Sequence, residues 1–363
     1  MIKTAPAVFA VGNEYQIMVE VEKESLMYVK VGDLTFYDES NGVMNSLSPM
    51  HRVCVPMHVL DKEKNYTVII RPIIERKVYF PETEEPQEFN FNFRPIPEKD
   101  VRIFHISDAH SWVEQPIAAA KTFGGIDLLI LNGDVIDSSG DPSMFSNIYE
   151  ICSAITNGEI PVVFSRGNHD MRGYYAEKVT DYIPSSNGKT YYSFRCGNLW
   201  GLVLDCGEDK DDDHVEYGYM VASHIFRQRQ TEYIKSIIEN AEKEYAAEGV
   251  KTKLIICHNP FTIQLAEPFN IEEEIFSEWA KLLKDNVKPD LMICGHLHAT
   301  DIYPVGCKRD HLGQPCPVVV ASLPIWSEKN FVGGGITIKD TEFEVAFTDS
   351  LGVTRSKEIV KRQ

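Results

Sequence analysis

The sequence predicts a two-part protein in which a small all-β sandwich precedes a larger α/β domain. Residues 1–97 contain apolar and alternating segments without a convincing helical period, which is the pattern of strands. From residue 101 onward, short apolar strands alternate with helix-like stretches, which is typical of a sheet covered by helices. The segment FNFRPIPEKD between them carries two prolines and predicts a linker. We therefore place one domain at 1–97 and the other at 98–363.

The strands of the first part are predicted from segments that alternate or run apolar. These segments are YQIMVEVE, LMYVKVG, HRVCVPMHVL and YTVIIRPIIERKVYF. Turn residues separate them at 38–42 and 61–65. A β-sandwich of the fibronectin or immunoglobulin kind is the expected fold of this part.

In the second part, the chain is predicted to alternate between short strands and helices. The predicted strands are 101–107, 127–132, 160–165, 199–205, 252–257 and 290–294, and the predicted helices are about 114–122, 142–157, 225–248 and 272–285. The segment 226–248 has the clearest helical pattern, because its apolar residues recur at helical spacing with charges on the other side. The closing segments GGGITIKD, TEFEVAFTD and GVTRSKEIV predict a terminal β meander.

The formal net charge of −18 restricts the partners that the chain can take. A negative surface repels phosphate backbones, so a nucleic-acid polymer is not an expected partner. A local cationic metal site would still admit a small phosphorylated substrate. The sequence contains no apolar run long enough to span a bilayer and no secretory signal. With its dispersed cysteines, it is expected to be cytoplasmic and free of membrane contact, while its oligomeric state is not predicted.

Five apolar runs end in side chains of the types that bind metal ions. The runs are IFHISDAH, LLILNGDVID, VVFSRGNHD, LIICHNP and LMICGHLH, and they carry Asp108, His110, Asp134, Asn168, His258, His296 and His298. Strand ends deliver polar side chains to a ligand site at the edge of a sheet. Carboxylate, imidazole and amide donors together suit Mn, Fe or Zn. Seven such ligands are too many for one open catalytic ion, and they suffice for two ions that share a bridging carboxylate.

The order of these motifs resembles that of the calcineurin-like metallophosphoesterase superfamily. The family pattern appears here as DAH, GD, GNHD, H and GHLH over about 101–300. The resemblance implies a four-layer α/β/β/α metallophosphoesterase domain that binds two metal ions and hydrolyses phosphate esters. The N-terminal β-domain is placed as in purple acid phosphatases, which resemble this chain there in position only.

The resemblance also implies a role for each matching residue. Asp108, His110 and His298 would hold the first ion; Asn168, His258 and His296 would hold the second; and Asp134 would bridge the two. His169 matches the catalytic His that stays off the metals and meets the leaving-group oxygen. Asp137 matches the acidic residue that orients this His in some members. Asp170 is expected to be a structural hydrogen-bonding group, and His105 a core or supporting residue.

Two positions differ from the sequence patterns of known subfamilies and so weaken the resemblance to those subfamilies. Purple acid phosphatases carry a Tyr ligand where this chain has Asp137, so no colour from a Tyr-to-iron contact is expected. Phosphoprotein phosphatases read GDxVDRG, whereas this chain reads GDVIDSSG with Ser138 in place of Arg. The resemblance to protein phosphatases is weaker for that reason.

Residues close to the motifs are candidates for substrate binding. Trp112, Arg172 and Tyr174 could bind phosphate or stack on a substrate ring, or they could serve only packing and surface ion pairs. The acidic run at 208–213 is open to two interpretations, a solvated loop or a lid that selects against polyanions.

The function predicted from the sequence is hydrolysis of small phosphate esters by a binuclear metal centre, as a phosphomonoesterase or a phosphodiesterase. One alternative is a cyclic-nucleotide phosphodiesterase or nuclease, although the net charge of −18 disfavours polymers. The other is a protein without enzymatic activity that binds a partner through its β-domain and uses the metal domain as a scaffold.

Overall fold

The structure is a computed structural model that describes residues 1–39 and 42–362. The strands in this part of the chain are β1 (Ala7–Val11), β2 (Glu14–Glu20), β3 (Ser25–Val31), β4 (Leu34–Tyr37), β5 (Met50–Pro56), β6 (Asn65–Glu75), β7 (Glu82–Thr83), β8 (Gln87–Asn92), β9 (Arg102–Ile106), β10 (Leu128–Asn132), β11 (Val162–Ser165), β12 (Tyr192–Cys196), β13 (Leu199–Leu204), β14 (Thr252–Cys257), β15 (Leu291–Cys294), β16 (Ala299–Tyr303), β17 (Val318–Ile325), β18 (Asn330–Ile338), β19 (Glu342–Asp349) and β20 (Thr354–Lys361). The α-helices are α1 (Met57–Glu63), α2 (Glu114–Phe123), α3 (Ser146–Thr156), α4 (Val179–Tyr182), α5 (Ser223–Glu239) and α6 (Glu273–Leu282), and a π-helical turn (Leu283–Val287) extends α6.

The first part of the chain divides its strands between two sheets. Strands β3, β4, β6, β7 and β8 form a separate antiparallel sheet. Strand β1 instead runs parallel to β11, with Phe9 beside Val162, and β2 and β5 continue from it. Every residue of β1 is buried, which is typical of a parallel strand covered on both faces. The boundary at residue 97 stays a prediction, since the large sheet contains strands from both sides of it.

The expectation of an all-β first part was wrong for the segment that follows β5. Residues 57–60 were predicted as strand and 61–65 as a turn, but α1 covers Met57–Glu63. Pro56 precedes the helix with φ −56°, and Met57 and Leu60 bury their side chains one helical turn apart. Lys64 ends the helix in the left-handed conformation, with φ 57°. The predicted turn at 38–42 lies partly outside the described residues.

The large sheet folds over at a hairpin, so that two halves face each other. One half contains the parallel strands β9, β10 and β11, and the other contains the parallel strands β13, β14, β15 and β17. Strand β18 joins the halves, because its first residues pair with β17 and its later ones with β9. Apolar residues of both halves form one shared core, which includes Ile103, Ile130, Ile256 and Ile293.

Helices cover the outer faces of both halves and complete four layers. Ala119 and Ala120 of α2 and Ile148 of α3 pack in the core cluster on the β9–β11 side. Ile234 of α5 and Trp279 of α6 pack in the cluster on the β14–β15 side. The predicted α/β/β/α fold class is therefore confirmed. Among the described residues, none of the helices combines the length and the apolar character needed to cross a bilayer.

Candidate metal centre

All seven predicted metal ligands follow the carboxyl ends of parallel strands at the same sheet edge. Asp108 and His110 follow β9, Asp134 follows β10, Asn168 follows β11, His258 follows β14, and His296 and His298 follow β15. Parallel strands of an α/β sheet open a crevice at this edge. The structure therefore brings these seven side chains to one region.

Most of these residues have an unusual backbone conformation. The left-handed region is adopted by Asp108 (φ 54°), His110 (φ 43°), Asp134 (φ 51°), His296 (φ 67°) and His298 (φ 46°). A residue other than glycine adopts this region rarely, and such residues cluster at functional sites where the surrounding structure holds them. The sharp turns in the chain after β9, β10 and β15 thus mark this edge as a functional site independently of the side chains.

Gly133, which precedes Asp134, allows two of the turns to approach closely. Its φ is 80°, and a Cβ there would lie 2.5 Å from His258 Nδ1 and 2.7 Å from Gly167 Cα. Both distances are shorter than real contacts allow, and the backbone conformation also favours glycine. The GD motif therefore needs its glycine so that the loops after β10, β11 and β14 can meet.

The first group of predicted ligands consists of Asp108, His110 and His298. Each offers a donor atom within 4.8 Å of the others. His110 Nε2 and His298 Nε2 are 3.1 Å apart, and His298 Nε2 is 3.4 Å from Asp108 Oδ1. The three donor atoms converge on one small volume, as the ligands of one ion would.

A second group consists of Asp134, His258 and His296, whose donor atoms also lie within 4.8 Å of one another. His258 Nε2 is 3.2 Å from Asp134 Oδ2 and 3.8 Å from Asp108 Oδ1. Beside them, the amide oxygen of Asn168 is buried and has no hydrogen-bond partner among the described residues. A buried polar atom without a partner is costly, and a cation would satisfy this oxygen.

Ser107 and Asn132 orient the ligands from behind, and sequence reasoning missed both. The Nδ1–H of His258 donates to the carbonyl oxygen of Asn132 over 2.8 Å, which leaves Nε2 for the site. Ser107 Oγ lies 2.8 Å from Asp108 Oδ2 and 3.2 Å from His258 Nδ1. Metal ligands are commonly held by such outer hydrogen bonds. Both residues stand inside the quoted motifs, ISDAH and LNGD, which was the available signal.

The buried carboxylates at the site are stabilised by positive charge close to them. Burial by itself lowers the pKa of His258, but the neighbouring Asp134 and Asp108 outweigh this effect and raise its pKa to about 10. Burial likewise raises the pKa of Asp134, yet the neighbouring histidines together, His258 above all, outweigh this effect and hold that pKa below its usual range. Two carboxylates this deeply buried require a cation, and the donor set present suits a transition-metal ion.

His169 lies beside the ligand groups with a defined ring orientation. Its Nδ1 donates to the main-chain carbonyl oxygen of Asp137 over 3.0 Å, and its Nε2 accepts from Arg172 Nη1 over 3.3 Å. The carboxylate of Asp137 is farther from the His169 ring, at 3.8 Å, and is 3.5 Å from His110 Nδ1. The contact between Asp137 and His169 therefore runs mainly through the backbone, which side-chain reasoning did not predict.

Asp170 ties the loops after β10 and β11 together. Its carboxylate accepts the backbone N–H groups of Asp134 (3.0 Å), Ile136 (3.3 Å) and Gly167 (2.8 Å). The side chain is fully buried. These three hydrogen bonds agree with the structural role that the sequence suggested for Asp170.

The three predicted substrate-binding residues lie in different surroundings. Arg172 is at the site, next to His169. The ring of Trp112 packs edge-on against Trp326, with centroids 4.7 Å apart, and Trp326 also lies 5.8 Å from the ring of His110. Tyr174 is 96% exposed and is not among the residues that line the cleft beside the ligands. No motif pointed to Trp326, whose ring contacts that of His110.

The acidic run at 208–213 is an ordered segment and not a freely solvated loop. Glu208 and Asp209 are buried and bind Arg172, with Glu208 Oε2 2.6 Å and Asp209 Oδ1 3.2 Å from Arg172 Nη2. Asp212 accepts the backbone N–H groups of Ser223 and His224 at the start of α5. The solvated-loop interpretation is therefore wrong for Glu208, Asp209 and Asp212.

Comparisons with known proteins agree with this geometry. Residues 101–300 match the family model described as calcineurin-like phosphoesterase. None of the curated proteins matches the chain. Among solved structures, the chain is similar to purple acid phosphatase PPD1 from yellow lupin (Lupinus luteus) seeds, at 14% identity and a TM-score of 0.60 over 99% of this chain and 75% of the other. That likeness concerns the fold, and it includes the N-terminal β region.

Two weaker similarities involve smaller proteins. One is a conserved, predicted phosphoesterase from Streptococcus pneumoniae, with 11% identity and a TM-score of 0.35 over 72% of this chain and 98% of the other. The second is Vacuolar Protein Sorting 29 from Cryptosporidium parvum, with 12% identity and a TM-score of 0.36 over 73% of this chain and 100% of the other.

The family match covers more than half of the chain and contains all the residues brought together at the sheet edge. The predicted resemblance is therefore confirmed, and with it the prediction of a phosphoric ester hydrolase that works with metal ions. The chain belongs to the calcineurin-like phosphoesterase family.

Proposed function

We propose that this chain hydrolyses small phosphate esters at a centre of two metal ions, as a monoesterase or a diesterase. The observation that carries the proposal is the presence of two separate, convergent groups of ligand-type side chains at one sheet edge. One group is Asp108, His110 and His298, and the other includes Asp134 and His258. Two neighbouring metal sites are the arrangement that many phosphoryl-transfer hydrolases use, and we propose Asp134 as the carboxylate that the two sites share.

The residues present fit two ions of the Mn, Fe or Zn type. Asp108, His110 and His298 would hold one ion, and Asn168, His258 and His296 the other, with Asp134 between them. The unpartnered amide oxygen of Asn168 supports its assignment as a ligand. Ions bound there would neutralise charge on the phosphoryl oxygens and make water a nucleophile near neutral pH.

His169 is proposed to deliver a proton to the leaving group. Because its Nδ1 donates to the Asp137 carbonyl oxygen, Nε2 is the ring nitrogen that faces the cleft. In the structure Nε2 accepts from Arg172 Nη1, so the acid role requires a protonated ring that has given up this contact. The proton on Nε2 would then pass to the ester oxygen as its bond to phosphorus breaks. Arg172 is beside this nitrogen, where its guanidinium could also donate to a phosphoryl oxygen.

The shape and charge of the site favour small substrates. The cleft beside His169 and the ligands has a volume of about 350 Å³, near the lower end of small-molecule sites, which span roughly 300–1,000 Å³. The net charge of −18 opposes approach by a polyanionic chain. Nuclease activity is for these reasons the less favoured alternative. The cytoplasmic location is a separate matter and stays a prediction.

Turnover of simple esters tests this function. The protein would be stripped with a chelator, reloaded with Mn²⁺, Zn²⁺ or Fe²⁺, and assayed with 4-nitrophenyl phosphate and bis(4-nitrophenyl) phosphate. Hydrolysis of at least one ester that disappears on chelation and returns with metal supports the proposal. Absence of hydrolysis with every metal, in protein that retains its ions, would refute it. The ratio of the two rates decides between monoesterase and diesterase.

A further inference from the structure

The cleft beside the predicted second ion has one apolar wall. Besides His169 and His296, its lining includes Leu265, Phe269 and Leu297. Phe269 belongs to the loop between β14 and α6, and its side chain is 37% exposed. A large apolar ring that lines the same cleft as the predicted acid can contact the part of a substrate that leaves.

The apolar wall of the cleft also borders a second, smaller pocket. A smaller pocket next to the cleft shares Leu265 and Phe269 with it and adds Phe261 and Ile263 to the lining. The side chains of Phe261 and Ile263 are buried, so they give the wall a fixed apolar backing. The second pocket, with a volume of about 30 Å³, is too small to hold a substrate group, so its apolar side chains support the wall that faces the cleft.

The cations next to the cleft are already paired with carboxylates. Arg172 Nη2 is 2.6 Å from Glu208 and 3.2 Å from Asp209, and Lys210 Nζ is 3.1 Å from Asp209 and 3.0 Å from Glu216. Two cations thus face three carboxylates, which gives this network a net charge of −1. Asp209 itself lines the cleft. A second anionic group on a substrate would be repelled here, because both cations of the network are already paired with carboxylates.

From these observations we propose that the cleft selects phosphate esters whose leaving group is uncharged and apolar, through contact with Leu265, Phe269 and Leu297. The proposal rests on the proposed function, because it specifies the substrate class of that same site. Apolar contact favours the carbon skeleton of the leaving group, and the network around Asp209 disfavours an added negative charge.

A pair of matched esters tests the selection by charge. 4-Methylphenyl phosphate and 4-carboxyphenyl phosphate share a ring, and the carboxylate ester has the better leaving group, so a preference for the methyl ester cannot come from intrinsic reactivity. We expect kcat/KM to be roughly tenfold higher for the methyl ester. Equal values, or a preference for the carboxylate ester, would overturn the proposal while leaving the hydrolase function intact.

Substitutions at Phe269 test whether this residue produces the preference for an apolar leaving group. Phe269→Ala should lower kcat/KM for the methyl ester about five- to tenfold and change the carboxylate ester less. Phe269→Lys should shift the preference toward the carboxylate ester. Leu265→Ala provides a second variant of the same wall. Phe80→Ala, a change of an exposed Phe in the loop between β6 and β7, is the matched control and should leave the ratio unchanged.

Binding without turnover separates the two proposals. The Mn²⁺-loaded protein would be titrated calorimetrically with phenylphosphonate and with 4-carboxyphenylphosphonate, which cannot be hydrolysed at an ester bond. Tighter binding of phenylphosphonate, weakened in Phe269→Ala, supports the selection even if turnover fails. Equal affinities for both, unaffected by Phe269→Ala, contradict it. Absence of ester hydrolysis alongside selective binding would instead refute the hydrolase proposal alone.

Discussion

The Nε2 atoms of His110 and His298 lie 3.1 Å apart, although the residues are separated by 188 positions in the sequence. Two ring nitrogens at this distance cannot both carry a proton without repulsion, so at least one of them presents a lone pair. Asp108 Oδ1 lies 3.4 Å from His298 Nε2. The arrangement fits donors that converge on a shared cation, and it gives the proposed first ion site a geometric basis.

Loss of the His169 ring should separate catalysis from metal binding. His169→Ala should retain both ions and lower kcat by about 10²–10⁴-fold, most strongly for esters with poor leaving groups. Steady-state kinetics over a series of phenyl phosphates, together with metal analysis of the same samples, would measure this. Asp137→Asn should cost less, because the main-chain carbonyl that orients His169 remains. Metal loss in His169→Ala would show that His169 is a ligand and not an acid.

Removal of one supporting hydroxyl should weaken metal binding without unfolding the chain. Ser107→Ala deletes the group next to Asp108 Oδ2 and His258 Nδ1, so we expect metal affinity to fall about 10–100-fold. Competition with a chromogenic chelator would measure the affinity. Ser25→Ala is a suitable control, since Ser25 is also buried and donates one hydrogen bond within the N-terminal part. Equal affinities in Ser107→Ala and Ser25→Ala would exclude the supporting role.

Buried His105 should make the fold sensitive to acid. Burial lowers its pKa from 6.5 to about 4, so the unfolded chain binds the proton first as the pH falls. Stability should therefore rise with pH between about 4 and 6.5 and be lost as the pH drops through that window. The full loss from this one group is about 3 kcal/mol.

Urea unfolding of metal-free protein at pH 7 and pH 4.5 would measure the effect. His105→Leu should lose less stability than the wild type between these two pH values, because it has no proton to bind. His58→Leu, a change of an exposed residue of α1, should behave like the wild type. If His105→Leu and the wild type lost the same free energy of unfolding, His105 would not be the sensitive group.

The position of the candidate ligands at one sheet edge was predictable because the information is local to each strand end. The runs before Asp108, Asp134 and His258 are apolar and the ligands follow directly, so strand and ligand could be recognised together. The predicted strand 252–257 matches β14 in both bounds. The order of the motifs then identified the family without any knowledge of distances.

Features that depend on partners distant in sequence were not predictable. The pairing of Phe9 with Val162 leaves no mark on either segment beyond their apolar character. Glu208 lay in a run of acidic residues, and only the fold shows that it is buried against Arg172. Trp326 comes over His110 by way of the β17–β18 hairpin, which has no motif of its own.

Counting the ions in Asp134→Ala beside the wild type tests the binuclear centre most directly. Elemental analysis of Mn²⁺-loaded, desalted protein should give close to two ions per chain for the wild type. Asp134→Ala should give the lowest content of any single-ligand variant, because Asp134 alone is proposed to contact both ions. Asp33→Ala, a change of an exposed residue in the N-terminal part, should match the wild type. A wild-type value of one ion or none, or two ions retained in Asp134→Ala, would contradict the shared-carboxylate centre.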